Sequence, residues 1–96
     1  MFARTSTWTG SPQALQKWAD HVTDNVAPNV QSQPDVAGVF FFLDLAGGTA
    51  LTLTLWDNEE AALGSDQFAE ASRASTVAVT GVELVSRGRY EVVTLL

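Results

Sequence analysis

The chain contains no cysteine, and that absence alone removes disulfides, thiolate nucleophiles, zinc fingers and cysteine-ligated clusters from consideration. It also means that cysteine usage says nothing about the redox compartment. Basic residues are scarce: five Lys and Arg stand against eleven Asp and Glu, a net charge of −6. Such a chain repels phosphate backbones and anionic lipid surfaces, so neither nucleic acid nor a membrane is an expected partner. Long apolar runs are missing too. The longest, Val36–Leu43, spans eight residues, far short of the roughly 20 a membrane-spanning helix requires. No apolar stretch of signal-peptide type follows Met1-Phe-Ala-Arg4. A soluble, cytoplasmic protein is the expectation. There is no glycine-rich phosphate loop, no metal-ligand spacing, and only one histidine, His21.

What remains is rich in apolar side chains. They make up 46% of the 96 residues, whereas charged ones are only 17%, below the roughly 25% of ordinary soluble domains. A single domain of this length buries only about two-thirds of its unfolded surface. Apolar surface is therefore left over, and a self-associating sheet would use it.

The stretch Thr49-Ala-Leu-Thr-Leu-Thr-Leu-Trp-Asp-Asn-Glu-Glu-Ala-Ala-Leu63 carries most of the structural information. Leu51, Leu53 and Leu55 fall on one face of a period-two strand; Thr52, Thr54 and Trp56 fall on the other. Small hydroxyl side chains beside a large indole can leave room for a ligand. The junction has an earlier counterpart, since Trp8-Thr-Gly-Ser-Pro-Gln-Ala-Leu15 matches Trp56-Asp-Asn-Glu-Glu-Ala-Ala-Leu63 at Trp, Ala and Leu, forty-eight residues apart. The same offset lays Val36–Leu45 over Leu84–Val93. The chain thus reads as β-α-β twice, an α+β fold with the ferredoxin-like βαββαβ order and an antiparallel sheet.

Local signals mark the elements. Phe2–Trp8 is the first strand, ended by Gly10. Ser11 and Pro12 start a helix whose stripe Leu15, Trp18, Ala19, Val22, Val26 is apolar, and Pro28 and Pro34 make Asn29–Asp35 a connector. Val36–Leu45 is apolar on both faces, which suggests an interior strand. Gly47-Gly48 supplies the positive φ angles of a hairpin turn. Asp57 with Glu60 reads as a capping box, Gly64-Ser65 breaks the helix into about 58–63 and 65–74, and Thr76–Gly81 is a connector. In the final strand, Val82–Leu95, alternation puts Glu83, Val85, Arg87, Arg89 and Glu91 on one face and Leu84, Ser86, Gly88, Tyr90 and Val92 on the other.

With the elements in place, the chain resembles the antibiotic-biosynthesis-monooxygenase-like family of dimeric α/β barrels. The likeness rests on Thr54-Leu-Trp-Asp-Asn-Glu-Glu-Ala61, Ser65-Asp-Gln-Phe-Ala-Glu-Ala71, the opening Phe2-Ala-Arg-Thr-Ser-Thr7 with Gly10, and the closing Arg89-Tyr-Glu-Val92. It implies a homodimer of two ferredoxin-like sheets and a pocket between sheet and helices, with Trp56, Thr52, Thr54, Phe68 and Ser72 as ligand-binding candidates. Haem-degrading members carry an Asn in the first strand and an iron-ligating His in the last helix; Phe2–Trp8 has no Asn, and Ser72 stands where that His belongs. Polyketide-oxidising members carry an Asn four residues before the Trp, where this chain has Thr52. The implied function is binding, with cofactor-independent oxygenation, of a small hydrophobic or aromatic molecule, and no cofactor is expected. A non-catalytic ligand-binding or assembly protein of the same fold is the alternative.

Each candidate has a plainer reading. Trp56 closes a strand beneath a helix, where a Trp commonly fills the core. His21 and Tyr90 are the candidate proton carriers, and His21 lies at the edge of an apolar stripe where a boundary residue is the ordinary case. Arg87 and Arg89, beside Glu83 and Glu91, suit either cross-strand ion pairs or an anionic ligand. The carboxylates of Asp57, Glu59 and Glu60 belong to a helix start.

Overall fold

The computed structural model describes residues 1–96. Strand β1 (Phe2–Thr9) leads into helix α1 (Pro12–His21), a π-helical turn (Val22–Val26) and helix α2 (Ala27–Gln31). Strands β2 (Val36–Asp44) and β3 (Thr49–Trp56) form a hairpin, followed by helices α3 (Glu59–Gly64) and α4 (Asp66–Thr80) and strand β4 (Glu83–Glu91). The strands are antiparallel in the order β2-β3-β1-β4, the ferredoxin-like arrangement.

The helices cover one face of the sheet. Trp8, Leu15, Trp18, Val22, Ala50 and Val82 form the buried cluster, with Phe41 and Leu84 packed against it. Trp18 meets the ring of Phe41 edge-on at 6.1 Å. Ser11 caps α1 by accepting from the Ala14 amide at 3.1 Å.

Several elements depart from the sequence reading, each for a local physical reason. The first helical region continues past Val26 to Gln31, because Pro28 is accommodated rather than excluded. The Ala27 amide bonds to Val22 O, five residues back. The widened turn relieves the clash that a proline ring makes with the carbonyl four residues before it. Strand β2 is an edge strand, not an interior one: its two apolar faces meet the core on one side and open surface on the other. The hairpin turn runs over Leu45–Gly48, where only Gly48 has positive φ (72°) and Gly47 lies so close to the Asp44 carboxylate that a Cβ would collide with it. Asn58, not Asp57, caps α3, accepting from the Ala61 amide at 2.8 Å. Ser65, at the break where the sequence starts the second helix and where its hydroxyl could cap it, instead turns that hydroxyl back to Ala62 O.

Helix α4 runs on through Thr76–Thr80, the segment read as a connector. Thr76 donates to Ser72 O and Thr80 to Thr76 O, at 2.9 and 2.7 Å, so both hydroxyls are satisfied within the helix while the two side chains are buried. Gly81 ends it in the left-handed conformation (φ 81°). Strand β4 stops at Glu91, short of the Leu95 expected from the sequence, and pairs with β1 along its length. A bulge at Val85 also breaks its alternation: Trp8 pairs with Leu84 but Thr7 with Ser86. Leu84 therefore shares the helix-covered face with Arg87 and Arg89, contrary to simple alternation.

The other sheet face is bare. Phe40 and Phe42 stack there at 6.1 Å and are about half exposed (47% and 50%), beside Leu51 and Leu53, with Tyr90 on the same face at the opposite edge of the sheet. No helix is long and apolar enough to cross a membrane.

Candidate functional site

Pairing sets the floor of the site. Arg4 of β1 lies between Thr54 of β3 and Arg89 of β4; Ser6 lies between Thr52 and Arg87; Phe2 opposes Trp56. Alternation then aims Arg4, Ser6, Trp8, Thr52, Thr54, Trp56, Arg87 and Arg89 at the helices. A cavity of about 50 Å³ lies under α4 and the π-helical turn. Trp56, Thr52, Thr54, Phe68 and Ser72 all line it, together with Trp8, Val22, Val26, Phe41, Arg4 and Arg73. That is about a third of the roughly 150 Å³ of an apolar cavity that takes up benzene, so as it stands it does not hold a ring system. Two larger hollows adjoin it. One of about 180 Å³ shares Val26, Phe68 and Ser72 with it and reaches His21; the other, about 360 Å³, shares Arg4 and Arg73.

The three tryptophans differ in how their N–H groups are treated. Trp8 Nε1 donates to Thr52 Oγ1 at 3.1 Å. Trp56, only 3% exposed, has no partner for Nε1, and neither has Trp18. A buried donor without an acceptor costs about 1–3 kcal/mol. Trp56 is the one of these two that borders the cavity.

Arg4 is the buried charge of the site. Its guanidinium donates to Ala62 O, to Ser65 Oγ at 3.3 Å and to the Asp66 carboxylate, while its Nε is buried without a partner. Asp66 also pairs with Arg89 at 3.3 Å. The hydrogen bond from Arg4, reinforced by the charges of Arg4, Arg89 and Arg73, holds the Asp66 carboxyl below its ordinary pKa against a smaller desolvation effect. Arg73 is shifted down from the usual guanidinium value, first by desolvation and then by the repulsion of Arg4 and Arg87.

The two candidate proton carriers lie elsewhere. His21 sits at the end of α1 in the neighbouring hollow, its Nδ1 3.4 Å from Asn25 Nδ2. Tyr90 is on the bare face, 59% exposed, with its ring laid over Gly88. The only ionisable side chains bordering the Trp56 cavity are Arg4 and Arg73. No group of three His, Asp or Glu side chains is placed to hold a metal ion. The sequence reading did not identify Arg4 or Arg73 as site residues, nor the π-helical turn that roofs the cavity. The turn lies beside Pro28, the visible irregularity in an otherwise regular stripe.

No family model matches the chain, and no curated protein matches it in sequence. Solved structures do match in shape. A Deinococcus radiodurans protein, provisionally described as an antibiotic biosynthesis monooxygenase, superposes with a TM-score of 0.78 at 15% identity, over 100% of this chain and 96% of that one. The fold is that of the antibiotic-biosynthesis-monooxygenase structures. The monooxygenase ActVA-Orf6 of Streptomyces coelicolor, solved with nanaomycin D, is similar with a TM-score of 0.69 at 16% identity, covering 99% of this chain and 91% of its own. SnoaB, a cofactor-independent oxygenase of Streptomyces nogalater, gives 0.65 at 14% identity, covering 99% and 95%. Identities this low establish the shared fold and leave the activity to be argued from the residues.

Proposed function

We propose that the protein binds a small aromatic molecule in the cavity beside Trp56 and that it does so as a homodimer. The observation that carries this reading is Trp56, a buried indole with an unpartnered N–H, lining a cavity whose other walls are hydroxyl and apolar side chains with Arg4 and Arg73 at one side. An acceptor on a bound ring would satisfy it. The small volume means that a ring enters by displacing Phe68, which with Ser72 and Val26 is shared with the adjoining hollow of about 180 Å³. The bare face of Phe40, Phe42, Leu51 and Leu53 supports association with a second copy, sheet against sheet.

Cofactor-independent oxygenation of the bound molecule is the second reading, favoured by two buried N–H donors, Trp56 Nε1 and Arg4 Nε, at the edge of one cavity. There, a substrate enolate or phenolate would itself supply electrons to oxygen, while the protein excludes water and orients the ring. Neither His21 nor Tyr90 borders the cavity to move a proton, which weighs toward binding without catalysis.

Titration with phenol and benzyl alcohol tests the binding reading, followed through the Trp56 indole N–H resonance and calorimetry. Losing the aromatic wall in Trp56→Ala should cost about 1 kcal/mol or more of binding, roughly fivefold in affinity, while Trp56→Phe keeps part of it. Trp8 and Trp18 variants should act on stability. An unchanged affinity in Trp56→Ala, with only a lower melting temperature, would make Trp56 a core residue and end this reading. Oxygen uptake with phenolic probes separates oxygenation from binding alone.

A further inference from the structure

Four of the five basic residues of this acidic chain converge on one cavity. Arg4, Arg73, Arg87 and Arg89 line the hollow of about 360 Å³, with Asp66 and Glu70 as its only carboxylates. They come from three separate elements, β1, β4 and α4, so the cluster is a product of the fold and not of a local run of charge. Outside it, Lys17 alone faces nine carboxylates. Asp66 is occupied by Arg4 and Arg89, and neither Arg73 nor Arg87 has a carboxylate within salt-bridge distance. Arg73 is held partly desolvated between two other guanidinium groups, Arg4 and Arg87, whose repulsion outweighs the attraction of Glu70 and Asp66.

Two further observations connect this hollow to the Trp56 cavity. Arg4 and Arg73 form the wall common to both. Arg4, only 8% exposed, keeps a buried Nε–H with no partner, while its hydrogen bonds are all made through Nη2. We propose that the arginine hollow is the subsite for a carboxylate group on the ligand whose aromatic body rests against Trp56, so that the ligand class is an aromatic carboxylic acid. The inference builds on the Trp56 reading for the ring and on the arginines alone for the anion. A planar carboxylate matches the two-pronged guanidinium fork, and its single charge suits a hollow that retains two carboxylates of its own.

The test uses benzoate, benzyl alcohol and inorganic phosphate as probes on the full chain, with Arg73→Gln and Arg87→Gln singly and together. Neither arginine has an ion-pair partner to lose, so the variants should fold at least as stably as the parent; melting temperature checks this. Benzoate is expected to bind about tenfold tighter than benzyl alcohol, with the preference reduced by added salt and lost in the double variant, while Arg87→Gln, which lines the arginine hollow and not the Trp56 cavity, leaves the affinity for the alcohol unchanged. Equal affinity of benzoate and benzyl alcohol, or a benzoate preference that survives both substitutions, overturns the proposal. Phosphate binding tighter than benzoate overturns the carboxylate assignment. Arginine-dependent benzoate binding that leaves the Trp56 resonance unmoved keeps the anion subsite and refutes the Trp56 reading. Failure of all three probes to bind overturns the subsite.

Discussion

Replacing Asp66 by asparagine should destabilise the protein in a pH-dependent way, because this one carboxylate neutralises a buried arginine. The Arg4 side chain is 9% exposed and the Asp66 side chain 48% exposed. A fully exposed ion pair contributes about 0–1 kcal/mol, whereas stripping the partner from a buried charge costs about 3–5 kcal/mol. The observed geometry is intermediate. The substituted amide can still accept one hydrogen bond, and Ala62 O and Ser65 Oγ remain on the guanidinium. We therefore expect a loss of about 1–2 kcal/mol at neutral pH, or roughly 4–16 °C in melting temperature for a domain of this size. The sign with pH follows from the depressed carboxyl pKa. A group that ionises more readily when folded contributes its full stability above its unfolded pKa of about 3.9 and loses it as pH falls through the folded value. The parent and the Asp66→Asn variant should differ most at pH 6–7, converge below about pH 4, and coincide once Asp66 is protonated. Urea unfolding at a series of pH values measures this. A difference that is constant from pH 7 to pH 3 would mean that shape and hydrogen bonding, not charge, hold Arg4 in place.

Leu53→Asp, in the middle of the bare sheet face, should convert a dimer into a monomer of 10.3 kDa by light scattering. A parent that is already monomeric at micromolar concentration would refute that role for the face. Thr52→Val should cost about 1–3 kcal/mol in chemical denaturation, since it removes the acceptor of the Trp8 N–H and leaves a buried donor unpaired. An unchanged midpoint would show that water replaces the hydroxyl.

The sequence made the order of elements legible because strand alternation and helix starts are local signals. Thr49–Trp56 alternates cleanly, Ser11 caps the helix it precedes, and the offset between Trp8 and Trp56 marks two similar halves. What it concealed depends on distant partners. The last five residues of α4 look like a loop, since β-branched residues are weak helix formers; burial of Thr76 and Thr80 overcomes that preference, and back-bonding satisfies their hydroxyls. The two faces of β2 indicate what covers them, not where the strand lies in the sheet. For the site, Trp56, Thr52 and Thr54 could be put on one face from spacing alone, and Phe68 and Ser72 followed from the resemblance. Arg4 and Arg73 are sixty-nine positions apart, and no local pattern shows that the β1–β4 pairing and the seating of α4 bring them to a common wall.

Val85 gives β4 its double use. The residues before it face the core through Leu84, and those after it send Arg87 and Arg89 to the same side. Were Val85 deleted, the pairs Trp8–Leu84, Thr7–Ser86 and Ser6–Arg87 would run in unbroken register, and Leu84, Arg87 and Arg89 would all keep their faces. Were Val85 kept and drawn into regular pairing, one side of it would change faces: either Leu84 would leave the core or the two arginines would move to the bare face while Gly88 and Tyr90 turned toward the helices. A one-residue gap here in a related chain is therefore silent, whereas a chain of equal length without the bulge has a last strand that no longer serves both core and cavity.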